Sequence, residues 1–79
     1  MFTVYAIKSI TRNYIYVGLT SDLIKRLDRH NNGYEKTTKP YRPFELIFSE
    51  VLETRIEARE REKYYKSGIG KDFLRNLLN

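Results

Sequence analysis

The first apolar stretches of the chain, residues 2–8 and 13–19, are short and rich in β-branched and aromatic side chains. Segments of this length and composition are typical of β-strands. The polar residues Ser9 to Arg12 separate the two stretches, so the pattern predicts a β-hairpin. A third stretch of the same kind, Phe44 to Val51, predicts a third strand.

The segment after the hairpin carries the signals of a helix start and a helix end. Ser21 or Thr20 offers a hydroxyl that can cap a helix running from Asp22 to about Asn31. Gly33 then ends the helix, because glycine readily adopts the left-handed conformation that closes many helices. The predicted apolar stripe consists of Leu23, Ile24 and Leu27.

Two further helices are predicted on either side of a glycine-containing break. Thr54 and Glu57 stand in the spacing of a capping box and predict a helix that extends to about Lys66. Gly68 and Gly70 predict an interruption of the chain. A short last helix follows from the helical spacing of Phe73, Leu74, Leu77 and Leu78. The order ββαβαα predicts a small α+β sandwich in which helices flank a three-stranded sheet.

Composition and charge limit the classes of function. The chain of 79 residues fits a single domain, residues 1–79, and contains no cysteine, which excludes disulfides and thiolate metal sites. It lacks a signal-peptide pattern and any run of about 18 apolar residues, so we expect a cytoplasmic protein that does not contact a membrane. Fifteen Lys and Arg against ten Asp and Glu give a net charge of +5, which favours a polyanionic partner such as nucleic acid.

Two tyrosines of the hairpin are candidates for chemistry. A turn centred between Ile10 and Thr11 would pair Tyr5 with Tyr16 on one face, with Cβ atoms about 5 Å apart. Such a pair usually serves the core. Gly18, two residues after Tyr16, indicates a close approach of another backbone or a ligand, which leaves a functional role open.

The first helix carries two more candidates at the edge of its apolar stripe. Arg26 and His30 are one turn apart there, whereas Lys25 and Arg29 point into solvent. Taken singly, an edge arginine is usually a surface charge, and a histidine near a helix C-terminus usually complements the helix dipole.

A glutamate of the second helix needs a partner. Glu62 lies between Ala58 and Tyr65 on a face predicted to pack, where an unpaired carboxylate is costly. A metal ion or a neighbouring arginine would serve. Glu60 lies on a different face, and periodicity alone does not choose between the two. For either residue, a salt bridge within the charged run 57–63 is the alternative.

The loop after the first helix combines cations with aromatic rings. Residues 31–43 contain one glycine and two prolines and predict a loop of about a dozen residues. Its interleaved charges and rings are typical of segments that neutralise a nucleic-acid backbone and stack on bases, although solvated loops are similar. The candidate nucleic-acid contacts are Lys36, Lys39, Tyr41 and Arg42.

Taken together, these residues resemble the GIY-YIG endonuclease family, in particular its short stand-alone members. Thr3-Val4-Tyr5 occupies the place of the first motif and Tyr16-Val17-Gly18 that of the second. The most specific part of the match is the segment 16–27 followed by His30-Asn31. Thr3 replaces the glycine of the first motif, and Val4 and Val17 replace isoleucines, but both tyrosines are kept.

The resemblance implies a role for each candidate. Arg26 matches the catalytic arginine, His30 a histidine found in many members, and Glu62 the glutamate that holds Mg²⁺ or Mn²⁺ against the scissile phosphate. Tyr5 would activate or position the attacking water and Tyr16 would orient it or the phosphate. A tyrosine base requires neighbouring cations to lower its pKa, so His30 is a candidate for an assisting or alternative base. Asn76 is matched to the family's late polar residue.

The expected function is therefore metal-dependent hydrolysis of phosphodiester bonds in nucleic acid, DNA rather than RNA, as in DNA repair. Larger members of the family choose their targets through an attached DNA-recognition domain that we do not find in this sequence. A domain that binds structured nucleic acid without cutting it is the main alternative. A protein-docking role is a third, and it predicts binding to nucleic acid with little dependence on salt.

Overall fold

The centre of the fold is one antiparallel sheet with the strand order β2-β1-β3. The computed structural model describes residues 1–78 and gives the strands as β1, Phe2–Ser9; β2, Ile15–Thr20; and β3, Phe44–Leu52. The helices are α1, Leu23–Asn31; α2, Arg55–Lys66; and α3, Gly68–Asn76. A short 3₁₀ turn, Lys39–Tyr41, interrupts the loop after α1. The predicted ββαβαα order and the α+β class are confirmed.

The register of the hairpin differs from the predicted one by two residues. Tyr5 lies opposite Gly18, and Tyr16 lies opposite Ile7. Ser9 donates its backbone N–H to Tyr14 at 2.9 Å, and the paired positions centre the turn between Thr11 and Arg12, one residue later than predicted. A shift of two residues leaves every side chain on its predicted face. Tyr5 and Tyr16 are therefore diagonal neighbours on the same face.

Each helix begins at a side-chain cap, and one of these caps corrects the prediction. The carboxylate of Asp22 caps α1 by accepting from the backbone N–H of Lys25 at 3.1 Å, so neither Ser21 nor Thr20 is the cap. Thr20 instead accepts from the N–H of Asp22 at 3.0 Å, which fixes the approach to the helix. In α2 the predicted cap at Thr54 is confirmed, because its hydroxyl accepts from the backbone N–H of Glu57 at 3.2 Å. The Glu57 carboxylate accepts from that hydroxyl at 2.9 Å and not, as in a complete capping box, from the backbone N–H of Thr54.

The predicted interruption between the last two helices is confirmed but falls at Ser67, and both glycines belong to the first turn of α3. Ser67 caps that turn by accepting from the N–H of Gly70 at 3.2 Å. A side chain at Gly70 would overlap the backbone of Tyr64 and Tyr65. The glycine therefore permits the close approach of α3 to the end of α2.

Two apolar clusters cover the two faces of the sheet. Helices α2 and α3 pack on one face through Ala58, Tyr65 and Leu74, which contact alternate residues of β1 and β2. Tyr5, Ile7 and Phe44 form the second cluster, with Leu23 and Leu27 of α1 packed against it. No helix within residues 1–78 is long and apolar enough to cross a membrane.

The structure corrects the apolar stripes of two helices. Ile24 is 82% exposed, so α1 packs through Leu23, Leu27 and the buried His30. In α3, Leu74 is buried while Phe73 is more than 40% exposed, and so are Leu77 and Leu78, which lie beyond the end of the helix.

Candidate active site

Four of the predicted residues converge on the α1 face of the sheet. The Tyr5 hydroxyl lies 2.8 Å from Nε2 of His30, and the ring of Tyr16 lies 6.3 Å from that of Tyr5 and 5.1 Å from that of His30. The Arg26 guanidinium lies beside the same Tyr5 hydroxyl. One strand hairpin and one helix thus bring two phenols, an imidazole and a guanidinium into a single cluster.

Gly18 makes room for this cluster. A Cβ at position 18 would overlap the hydroxyl end of the Tyr5 ring. The close approach predicted from this glycine is therefore real, and the approaching group is the side chain of Tyr5 rather than another backbone.

His30 is held from its other side by a residue that the sequence did not reveal. Nδ1 of His30 lies 2.7 Å from the Thr38 hydroxyl, which in turn contacts the carbonyl oxygen of Glu35 at 3.4 Å. Tyr5, His30 and Thr38 are each no more than 1% exposed. One assignment satisfies all three donors: Tyr5 donates to Nε2, Nδ1–H donates to Thr38, and Thr38 donates to the carbonyl.

Arg26 is oriented by a second residue that the sequence did not reveal, Glu35. Its carboxylate accepts from Arg26 at 3.2 Å and from Arg29 at 2.9 Å. The Nε–H of Arg26 is buried and has no hydrogen-bond partner within residues 1–78. A buried unpaired donor costs free energy, which an anion placed at this guanidinium would recover.

Burial determines the protonation of the central pair. Burial raises the pKa of Tyr5 to about 12, although the adjacent Arg26 acts in the opposite direction. The requirement that neighbouring cations bring the pKa of Tyr5 below its usual value is therefore not met, because burial outweighs the effect of Arg26. Burial also lowers the pKa of His30. Near neutral pH the phenol and the imidazole are both uncharged, and the imidazole can accept a hydrogen bond from the phenol.

The family of the chain follows from its match to a family model, described as the GIY-YIG catalytic domain, over residues 1–76. The chain belongs to the GIY-YIG family. The tyrosines of both motifs, Arg26 and His30 are the residues of the cluster described above.

Relatives of this GIY-YIG domain carry the name UPF0213. The chain is 49% identical over 55 residues to the UPF0213 protein YazA of Bacillus subtilis, an alignment that covers 68% of this chain and 56% of YazA. It is 41% identical over 54 residues to the UPF0213 protein SSP2268 of Staphylococcus saprophyticus, covering 67% and 66% of the two chains. The aligned part thus spans less than two thirds of these relatives' length. The solution NMR structure of the UPF0213 protein BH0048 from Bacillus halodurans superimposes with a TM-score of 0.57 at 28% identity, covering 98% of this chain and 85% of that chain.

Glu62 of this GIY-YIG domain comes from the helix layer on the other face of the sheet. Its side chain is 16% exposed, and Oε2 pairs with Lys66 at 3.3 Å. Glu60 is exposed. Burial therefore favours Glu62 over Glu60 as the carboxylate that needs a partner. The residues 1–78 contain no group of three or more His, Asp or Glu side chains arranged around one point.

The donor chemistry of Glu62 fits a hard divalent cation. One protein carboxylate, completed by phosphate and water oxygens, is a common way to bind Mg²⁺. The ion pair with Lys66 uses only Oε2, which leaves the other carboxylate oxygen of Glu62 outside that pair. That Glu62 acts together with the four clustered residues stays a prediction.

The candidate nucleic-acid contacts lie on the surface, with one exception. Lys36, Lys39 and Arg42 are exposed in the loop after α1, and Asn76 is exposed at the end of α3. Tyr41 is half-buried, and one face of its ring stacks on Tyr14 at 4.0 Å. Its ring is therefore already part of an aromatic stack.

Proposed function

We propose that the chain is a divalent-metal-dependent endonuclease that hydrolyses phosphodiester bonds of DNA. Membership of the GIY-YIG family indicates a nuclease that acts on nucleic acid. The observation that best supports the proposal is the buried hydrogen-bonded arrangement of Tyr5 and His30 beside Arg26, whose buried Nε–H lacks a partner. A cytoplasmic location, expected from the sequence, is part of the same proposal.

Arg26 would bind the scissile phosphate. Its planar fork matches phosphate oxygens, and the charge on those oxygens grows as the water attacks. Glu35 holds the guanidinium at its edge and so fixes its orientation before substrate arrives. The interaction with phosphate should therefore be stronger in the transition state than in the bound substrate.

Tyr5 would take the proton of the attacking water while it passes its own proton to Nε2 of His30. A phenol with a pKa near 12 is a poor base when it acts as a preformed phenolate, because almost none is ionised at neutral pH. Transfer in one step avoids the phenolate, since His30 accepts the phenol proton as the water proton arrives. Tyr16, whose ring is in the same cluster, would orient the water or the phosphate.

Glu62 would hold the Mg²⁺ or Mn²⁺ ion, which when bound supplies Lewis-acid stabilisation of negative charge on the phosphate.

The test compares two glutamates of one helix. Labelled single-stranded, duplex and branched DNA, with matched RNA, are incubated with the protein in the presence and absence of Mg²⁺ and Mn²⁺. We expect metal-dependent cleavage of DNA that Glu62→Gln abolishes and that the matched control Glu60→Gln retains. The fold should survive both changes, because the pair of Glu62 with Lys66 contributes only about 0.3–0.5 kcal/mol.

If the Glu60 variant loses cleavage and the Glu62 variant keeps it, Glu60 holds the metal and the assignment to Glu62 is wrong. Binding of DNA without cleavage under every condition would support the alternative, a binding module. The two ion pairs of Glu35 favour that alternative, because they hold Arg26 and Arg29 where both could bind a phosphate without cleavage.

A further inference from the structure

A pocket with only positive side-chain charges lies at the start of β2. Its volume is about 280 Å³. It is lined by Asn13, Tyr14, Ile15, Lys71 and Arg75. The cavities beside Arg26 are lined by Thr20 and Ser21, which stand at the other end of the same strand. The pocket is therefore separate from the candidate active site.

Lys71 brings a partly buried ammonium into this pocket. Its Nζ donates to the carbonyl oxygen of Ile15 at 2.7 Å. An ammonium has three donors, so two remain for another acceptor. Burial lowers the pKa of Lys71, and the neighbouring cations Arg75 and Lys66 add to this effect. An anion in the pocket would stabilise the charged form of the ammonium.

Arg75 completes the pocket with a guanidinium that can change partners. It pairs with Asp72 at 3.2 Å, but the two side chains are 62% and 73% exposed. Exposed pairs of this kind contribute little, about 0–1 kcal/mol. A phosphate can therefore compete for the guanidinium at small cost.

The strand β2 connects this pocket to the active site. It is at the edge of the sheet, and Tyr16 stands between its two ends. From Ile15 to Thr20 the strand extends roughly 17 Å at about 3.3 Å per residue. That length matches a path of a few nucleotides along one backbone.

We propose that the pocket formed by Lys71 and Arg75 binds a backbone phosphate of the same DNA strand that the active site binds, a few nucleotides from the scissile bond. This inference rests on the proposed function for the identity of the ligand. It adds a second anchor that fixes the path of the strand along β2. The simpler role of Lys71, covering a carbonyl at an exposed sheet edge, makes no use of Arg75.

The test measures binding without metal, so that its result does not depend on cleavage. The probe is a labelled duplex oligodeoxynucleotide with a single-stranded extension, titrated at several salt concentrations. Arg75→Gln should weaken binding several-fold and lower the slope of log affinity against log salt by roughly one unit. The matched control is Arg59→Gln, an equal loss of charge at an exposed position of α2, which should change neither quantity.

A second measurement identifies the phosphate. Single phosphates of the probe are replaced one at a time by neutral methylphosphonates. One replacement should weaken binding to the unmodified protein and have no effect on the Arg75 variant, because both changes remove the same contact. Equal salt slopes for the Arg59 and Arg75 variants would overturn the proposal. So would the finding that no methylphosphonate weakens binding to the unmodified protein while leaving binding to the Arg75 variant unchanged. Absence of cleavage in the nuclease assay would leave this result unaffected.

Discussion

The contact with Thr38 favours the tautomer of His30 in which the nitrogen facing Tyr5 carries no proton. In the assignment that satisfies every donor, the hydroxyl of Thr38 accepts a hydrogen bond from Nδ1–H, which leaves Nε2 free to accept from the phenol. Without that hydroxyl the ring can adopt the other tautomer, in which Nε2 carries the proton and cannot accept one. Thr38 is thus a positioning residue that acts through His30, in the way that outer partners orient ligating or catalytic histidines.

Replacing Thr38 separates this role from a purely structural one. We expect Thr38→Val to lower the single-turnover cleavage rate about 10–100-fold and to change its pH profile, with DNA affinity unchanged. Thr38→Ser keeps the hydroxyl and should restore both the rate and the profile. A valine variant with the wild-type rate and pH profile would show that the hydrogen bond to His30 has no part in catalysis.

The buried His30 also makes stability depend on pH. Burial lowers its pKa; Glu35 nearby favours the charged ring, while Arg26 and Arg29 oppose it. The unfolded chain therefore binds the His30 proton at a higher pH than the folded one. Stability contributed by the neutral ring is present above about pH 6.5 and is lost as the pH falls below that value.

Thermal melts at about pH 7.5 and 5.5 check this linkage. The melting temperature of the unmodified protein should be lower at pH 5.5 than at pH 7.5. The decrease should be much smaller for His30→Asn. The pKa of Glu35 is also lowered, chiefly by the hydrogen bond from Arg29, so its titration changes stability only at a more acidic pH. An equal fall in the two proteins would contradict the assignment of a neutral buried imidazole.

At the scale of elements, α1 is the helix that carries both Arg26 and His30, and its start is fixed by Asp22. We expect Asp22→Ala to lower the free energy of unfolding by about 1 kcal/mol, since it leaves a backbone N–H of the first turn unpaired. Ser21→Ala is the matched control and should change stability by only a few tenths. Denaturant unfolding of both variants measures the difference. A larger loss from Ser21→Ala than from Asp22→Ala would contradict the observed cap.

The elements themselves were predictable because each has a local signal. Apolar periodicity and the capping box gave three strands and three helices, and the glycine after α1 marked its end. Signals that depend on geometry between elements were less informative. The hairpin register depended on where the turn is centred. The glycines at positions 68 and 70 suggested a longer break than the one at Ser67, although close packing of α3 on α2 explains Gly70.

At the scale of the whole molecule, the candidate site joins segments that are distant in sequence. Tyr5, Tyr16, Arg26 and His30 were found through the family motifs, and the hairpin and α1 bring them together. Glu35 and Thr38 have no such signal, because their contacts depend on the path of the loop after α1. Tertiary contacts fix that path, including the bond from the Ser9 hydroxyl to the carbonyl oxygen of Tyr41.

In the proposed mechanism Arg26 stabilises the transition state, whereas the exposed lysines contribute to binding. The most direct measurement is the single-turnover cleavage of labelled duplex DNA with Mn²⁺, alongside its affinity without metal. Arg26→Ala should lower the cleavage rate about 10²–10³-fold and weaken binding only modestly. The doubly substituted control, Lys36→Gln with Lys39→Gln, should keep the rate at saturation while it lowers affinity and the salt slope. An Arg26→Ala protein that cuts at the wild-type rate would contradict the account.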